Sequence, residues 1–163
     1  MKDAFETAGS LLSRRPHSQA ELRRKLRAKG FLKEEVDFAI SECLRLGFID
    51  DKAFANSFAD QMLSRGCGSR RISQKLTMRG VDRDLASEAT ASSSGRDGGS
   101  DELSSACEAL RKKLKSFERE EDPRKRRLKA LRFLAGRGFS GDIANKAIAS
   151  HPSLIRRSPT EGF

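Results

Sequence analysis

The chain has 163 residues, with 33 Lys and Arg against 23 Asp and Glu, a formal net charge of +10. Only 36 % of residues are apolar, Trp and Tyr are absent, and all aromatic content rests on 10 Phe. Such a composition fits small helical modules, filled by aliphatic side chains and Phe plugs, better than one large β core, and no apolar run approaches the roughly 20 residues that a membrane-spanning helix needs.

The opening stretch "MKDAFETAGSLLSRRPHS" lacks the apolar core of a secretory signal, and its spacing predicts a helix over about 3–15. "SQAE", Ser18 to Glu21, has the form of a capping box. It opens a heavily basic helix over 18–29, "ELRRKLRAKGF", in which Leu22 and Leu26 form one stripe. Gly30 ends it cheaply, because glycine accepts the left-handed conformation that closes a helix. A third helix over 33–46 carries Val36, Ile40 and Cys43. Asp50 or Asp51 caps the next, over 51–65, with Phe54, Phe58 and Met62 on it. A second basic helix over 69–79 stops at Gly80 and is followed by a helix over 82–93. "ASSSGRDGGS", 91–100, reads as a flexible linker. A helix over 102–121 sets Cys107 among Leu103, Leu110 and Leu114. Asp122 followed by Pro123 is a cap with a first-turn proline, and it opens the third basic helix, 123–137. Gly138 ends that helix, a last one spans 140–150, and the tail "HPSLIRRSPTEGF" reads as disordered.

Aligning the chain on Gly30, Gly80 and Gly138 brings out an internal repeat. Eight positions before each glycine stand Leu22, Ile72 and Ala130; four before, Leu26, Leu76 and Leu134; one before, Lys29, Arg79 and Arg137. One after stand Phe31, Val81 and Phe139; six after, Val36, Ala86 and Ala144; ten after, Ile40, Thr90 and Ile148. The expected architecture is all-α: three tandem three-helix-bundle repeats, helix-turn-helix-like, over 1–47, 48–94 and 101–151, in an elongated modular protein. A Ser/Gly-rich linker at 95–100 and a disordered tail at 152–163 complete the expected layout.

The middle helix of each repeat carries the charge. Arg14 and Arg15 precede the first, and Arg23, Arg24, Lys25, Arg27 and Lys29 lie on it. The second offers Arg70, Arg71, Lys75 and Arg79. The third has Arg124, Lys125, Arg126, Arg127, Lys129, Arg132 and Arg137. Cations clustered in this way attract polyanions, nucleic acid first among them. A membrane surface fits less well, because the apolar stripes are narrow and no Trp anchors them. On a helical wheel of the third basic helix, Leu128, Leu131, Leu134 and Ala135 share a face. Lys125, Lys129 and Arg132 group on the other side with Phe133 near them. That Phe is placed either to stack on an unpaired base or to pack against a neighbouring unit.

Nothing in the chain reads as catalytic, and no cofactor or metal is implied. There is no phosphate-cradling "GxxxxGK" and no His or Cys cluster. His17 and His151 each lie beside a proline and read as turn or surface residues. Cys43, Cys67 and Cys107 are odd in number and far apart, so neither a disulfide framework nor a zinc site is indicated, and the cytoplasm is the expected compartment. Cys43 and Cys107 read as small core residues, and Cys67, in "RGCG", as exposed.

Three segments, "LLSRRPHSQAELRRKLRAKGF", "GFIDDKAFANSFADQMLSRGCGSRRISQKLTMRGV" and "RRLKALRFLAGRGFSGDIANKAI", resemble the RecX family of recombination regulators in order, spacing and punctuation, over roughly residues 5 to 150. The family often has an aromatic where this chain has Cys67. The resemblance implies a monomeric regulator of three tandem three-helix repeats without catalytic residues. Such a protein binds the RecA recombinase filament along its helical groove, inhibits recombinase and ATPase activity, and so modulates recombination, DNA repair and the SOS response. Contact with DNA is implied too, weak and non-specific, single strands included. The alternative is a DNA-binding protein that uses a basic helix as helix-turn-helix domains do. Gln19 and Gln74 lie near helix starts, where base readout uses them, but the three basic helices share no common reading set.

Overall fold

The computed structural model describes residues 3–94 and 100–155. Among them are nine α-helices: α1 (Ala4–Leu12), α2 (Gln19–Ala28), α3 (Lys33–Arg45), α4 (Asp51–Ser64), α5 (Ser69–Met78), α6 (Arg83–Ser93), α7 (Ser100–Glu118), α8 (Pro123–Gly136) and α9 (Gly141–Ala149). The expected all-α repeat of three helices is observed, with limits close to those the sequence predicts. Two readings change. Residues 91–93 of the supposed linker belong to α6, while 95–99 lie outside the described residues. The supposed tail begins with a 3₁₀ turn, Pro152–Leu154, whose Leu154 is fully buried; an aliphatic side chain with a core within reach does not stay in water. Residues 156–163 lie outside the described set.

Local chemistry explains the helix ends. Asp3 accepts from the backbone N–H of Glu6, and the Glu6 carboxylate reaches back to that of Asp3. Ser18 accepts from Glu21 N at 3.1 Å, but the expected capping box is half made, because the Glu21 carboxylate turns to Arg15 instead. The adjacent aspartates divide the work: Asp50 caps α4 through Lys52 N and Ala53 N, leaving Asp51 for another partner. Among the described residues five glycines take positive φ, at 30, 47, 66, 80 and 138. After each, the next residue's N–H bonds the carbonyl five residues back, as in Phe31 to Leu26, Phe48 to Cys43, Cys67 to Met62, Val81 to Leu76 and Phe139 to Leu134. This exit turns the residue after glycine toward the helix it has just left. For that reason Cys67, expected at the surface, is only 8 % exposed.

The chain forms two compact units, Met1–Phe58 with Lys75–Ala89, and Ala59–Gln74 with Thr90–Phe163. In the first, Ala4, Ala8, Leu22, Leu26, Val36, Ala39, Ile40, Cys43 and Ile49 make a core flanked by Phe5, Leu11, Leu12 and Phe31. In the second, α7, α8 and α9 close over Leu110, Phe117, Ala130, Leu134, Phe139 and Ile148, with Leu154 against them.

Each unit also contains one joint between repeats, and the two joints are built alike. In the first, the Ser18 hydroxyl donates to the Arg79 carbonyl at 2.5 Å, and Gln19 N donates to the Asp51 carboxylate at 2.8 Å. A Cβ on Gly80 would lie 2.3 Å from that of Ala20. In the second, Gly68 N donates to the Arg137 carbonyl at 2.9 Å and Arg70 N to the Gly138 carbonyl at 3.2 Å. Ser69 gives both its N–H and its hydroxyl to the buried Glu102 carboxylate, at 2.8 and 2.6 Å. A Cβ on Gly138 would lie 2.4 Å from that of Arg71. In both joints the start of a middle helix, whose first N–H groups lack intrahelical partners, is satisfied by the glycine exit and first helix of the following repeat.

Candidate functional site

The basic helices sort their cations by what each touches. On α2, Leu22 and Leu26 point inward and fully bury, which turns Arg24 and Arg27 outward to solvent, together with Lys29 at the end and Arg14 before it. Arg23 pairs with Asp37 on α3. Arg15 holds Glu21 through a two-pronged contact at 2.5 and 3.2 Å, and Arg79 approaches the same carboxylate at 3.6 Å. Burial works against the charge on Glu21, but the bond from Arg15 and the positive charges of Arg15 and Arg79 outweigh it and hold the carboxyl below its usual range. The Arg79 guanidinium lies 4.7 Å above the Phe58 ring and 6.0 Å from Phe54. Lys75 is half-buried. Arg79 is therefore a fastening of the first joint rather than an open cation.

His17 lies in the connection between α1 and α2, as expected of a turn residue, but it is not at the surface. It is 3 % exposed, with Nδ1–H donating to the Arg15 carbonyl and Nε2 accepting from the Lys25 ammonium, both at 2.8 Å. Burial pushes its pKa below the ordinary imidazole value, against the carbonyl bond, and the charges of Arg15 and Lys25 push the same way. His151 likewise bonds inward, to the Ala147 carbonyl.

In the second unit Arg70 is exposed, and Arg71 reaches the Gly136 carbonyl at 2.9 Å. On α8 the inward face is Arg126, Ala130 and Leu134. The expected stripe shifts: Leu128 and Ala135 face solvent and Leu131 is only half-buried. Arg126, expected at a binding surface, is 2 % exposed. Its guanidinium donates to the carbonyls of Glu120, Glu121 and Ser153 at 2.8, 3.3 and 2.5 Å, fastening the turn before α8 and the 3₁₀ segment after α9. Lys129 pairs with Glu120 at 2.6 Å, a bond that holds the Glu120 carboxyl below its usual range, and Arg127 donates to Asn145. Lys125 and Arg132 stay outward.

Phe133 is no open platform for a base. It packs edge-on against Phe117 with centroids 5.5 Å apart, and the Arg137 guanidinium sits 4.8 Å over its ring. Arg137 also donates to the carbonyls of Arg65 and Gly66. Of the cations on or just before the basic helices, those left exposed outside these contacts are Arg14, Arg24, Arg27 and Lys29 in one unit, and Arg70, Arg124, Lys125 and Arg132 in the other. They suit salt-sensitive contact with an acidic or phosphate-bearing surface. Among the described residues no group of three or more His, Cys, Asp or Glu is placed to hold a metal ion. Sequence reasoning missed the acidic partners of the joints, Glu21, Asp51 and Glu102. Glu21 stands about 100° from Leu22 on a helical wheel and farther from Leu26, off the inward stripe, so no pattern within α2 marks it.

Family models describing the first, second and third three-helix domains of RecX match residues 4–43, 50–89 and 100–148. A protein named Regulatory protein RecX from Vibrio vulnificus is 36 % identical over 149 residues, 91 % of this chain and 93 % of that one. Its namesake from Legionella pneumophila is 35 % identical over 147 residues, 90 % of this chain and 93 % of that one. In fold, the chain matches the crystal structure of RecX from Lactobacillus salivarius with a TM-score of 0.78 at 22 % identity, over 90 % of this chain and 93 % of that chain. A second crystal structure, of regulatory protein RecX, gives a TM-score of 0.77 at 20 % identity, over 90 % of this chain and 70 % of that chain.

Proposed function

This chain belongs to the RecX family, and from that membership we propose that it binds the filament of the RecA recombinase and inhibits its recombinase and ATPase activity, as a regulator rather than an enzyme. The observation that carries the reading is the match to all three RecX domains in order, together with relatives named as regulatory proteins over nine-tenths of the chain. The exposed cations lend support. A recombinase filament presents the same surface again and again, and linked modules that each bind weakly gain affinity through effective concentration. Arg24 and Arg27 on one unit and Lys125 and Arg132 on the other are the residues assigned to that contact. On this reading the protein works in the cytoplasm and as a monomer; no described helix is long and apolar enough to cross a membrane.

The test is co-sedimentation with RecA filaments assembled on single-stranded DNA, with the same DNA lacking RecA as control. The reading requires binding to the filament well beyond binding to bare DNA. The exposed cations also favour weak direct contact with DNA, tolerant of sequence and falling steeply with salt. Tight, salt-resistant binding to one short duplex would instead make the protein a sequence-reading DNA binder.

A further inference from the structure

The joint that appears twice in this chain has a third set of parts. We infer that the glycine exit at Gly30 is another socket of the same kind, open in this structure, which takes the first turn of a helix from a different protein. The inference stands apart from the recombinase reading.

The two filled sockets define the parts. Each has a basic residue just before the glycine, Arg79 or Arg137, whose carbonyl accepts a donor from the incoming helix start. Each has a glycine against which the incoming chain presses too closely for a Cβ. Each has a carboxylate in the first turn of the same repeat's first helix, Asp51 or Glu102, which takes the N–H of the first incoming helical residue. The first repeat holds the counterparts. Lys29 precedes Gly30 and is exposed. Glu6 is the third residue of α1 as Glu102 is the third of α7; like Lys29 it is exposed, its carboxylate held only by the long 3.4 Å bond from Asp3 N. A Cβ built on Gly30 meets nothing within 4 Å.

The surroundings favour a protein occupant over water. Leu32 is 67 % exposed and Phe38 66 %. The positions matching Leu32 are Asp82 and Ser140, and those matching Phe38 are Glu88 and Lys146. Bare apolar side chains at positions that are polar in both sister repeats mark a place where something docks.

A second copy of this chain is a poor occupant. The starts of α2 and α5 already fill the two internal sockets. The start of α8 is built differently: it has 14 residues where α2 and α5 have 10. The residue matching Ser18 and Gly68 is therefore Arg126, inside the helix, with its N–H spent on the Asp122 carbonyl at 2.9 Å. The first position of α8 is Pro123, which has no N–H to give.

The partner's chemistry follows from Ser18 to Glu21, which fill the Gly80 socket. It is a helix start with a hydroxyl or free N–H at the cap, a small side chain two residues on where Ala20 meets Gly80, and a carboxylate next to pair with Lys29 as Glu21 pairs with Arg79.

The experiment titrates the ¹⁵N-labelled full chain with a lactam-stapled synthetic peptide of residues 15–28. Shift changes should centre on Glu6, Lys29, Gly30 and Leu32. The peptide carrying Ala20→Leu, and the chain carrying Lys29→Glu with an unchanged helical spectrum, should each weaken binding by about tenfold, which is 1.4 kcal/mol. Three results would overturn the inference. One is no shift change at millimolar peptide. Another is change confined to residues around Gly80, which would mean displacement of α2. The third is concentration-dependent self-association abolished by Lys29→Glu, which would make the occupant a second copy.

Discussion

Replacing Gly80 and Gly30 by alanine, one at a time, separates the joint from the helix exit it is built on. Both glycines sit in the left-handed region, with φ of 80° and 91°. An L side chain there costs about 1–2 kcal/mol, and at Gly30, where the new Cβ meets open space, that is the whole penalty. At Gly80 the same Cβ arrives 2.3 Å from Ala20 Cβ, while carbon atoms rest at about 3.5–4.0 Å. The start of α2 must then back away by more than an ångström. Overpacking of that kind costs about 1–3 kcal/mol, and stretching the Ser18–Arg79 and Gln19–Asp51 bonds adds roughly 1 kcal/mol more. The expected losses are about 1–2 kcal/mol for Gly30→Ala and about 3–6 kcal/mol for Gly80→Ala. Urea denaturation followed by far-UV circular dichroism reads both. Equal losses would refute the reasoning, because they would leave the close approach at Gly80 without energetic weight.

Arg126→Met keeps the buried stem but removes the donors to three carbonyls, and should cost about 2–4 kcal/mol while leaving the salt dependence of DNA binding unchanged; a weakened DNA contact at full stability would return Arg126 to the surface. His17 titrates below its unfolded value because it is buried and faces Arg15 and Lys25, with Glu21 opposing them. The unfolded chain therefore takes up the proton first, so stability should hold above about pH 6.5 and fall as pH drops through that value. In His17→Gln that fall should be smaller, and an identical pH profile would contradict the assignment. Lys125→Glu with Arg132→Glu should leave thermal stability unchanged and weaken filament inhibition by roughly 10²-fold if the modules bind together; equal potency would make this face a solubilising surface.

The helices were legible because their starts and stops are local chemistry. Ser18, Asp122 and the glycines at 30, 80 and 138 act within a few residues of themselves. The exits at Gly47 and Gly66 carried the same signature, a glycine followed by Phe48 or Cys67, and following it would have buried Cys67 at once. The destinations of the cations were less legible. A wheel drawn from apolar residues puts Leu128 inside α8, yet Arg126 holds that face with its aliphatic stem while its guanidinium finds carbonyls. Arg79 and Arg137 read as phosphate ligands until their partners are known, and Ser18 and Arg79 stand 61 residues apart. No pattern within one helix announces a contact at that separation.

The central claim is most directly tested by RecA ATPase on single-stranded DNA, titrated with this protein. The account predicts that hydrolysis falls progressively and is strongly inhibited at amounts stoichiometric with filament subunits or below, with wild type more potent than the Lys125→Glu, Arg132→Glu variant. Unchanged hydrolysis at stoichiometric protein, under conditions where the chain is folded and helical, would contradict it.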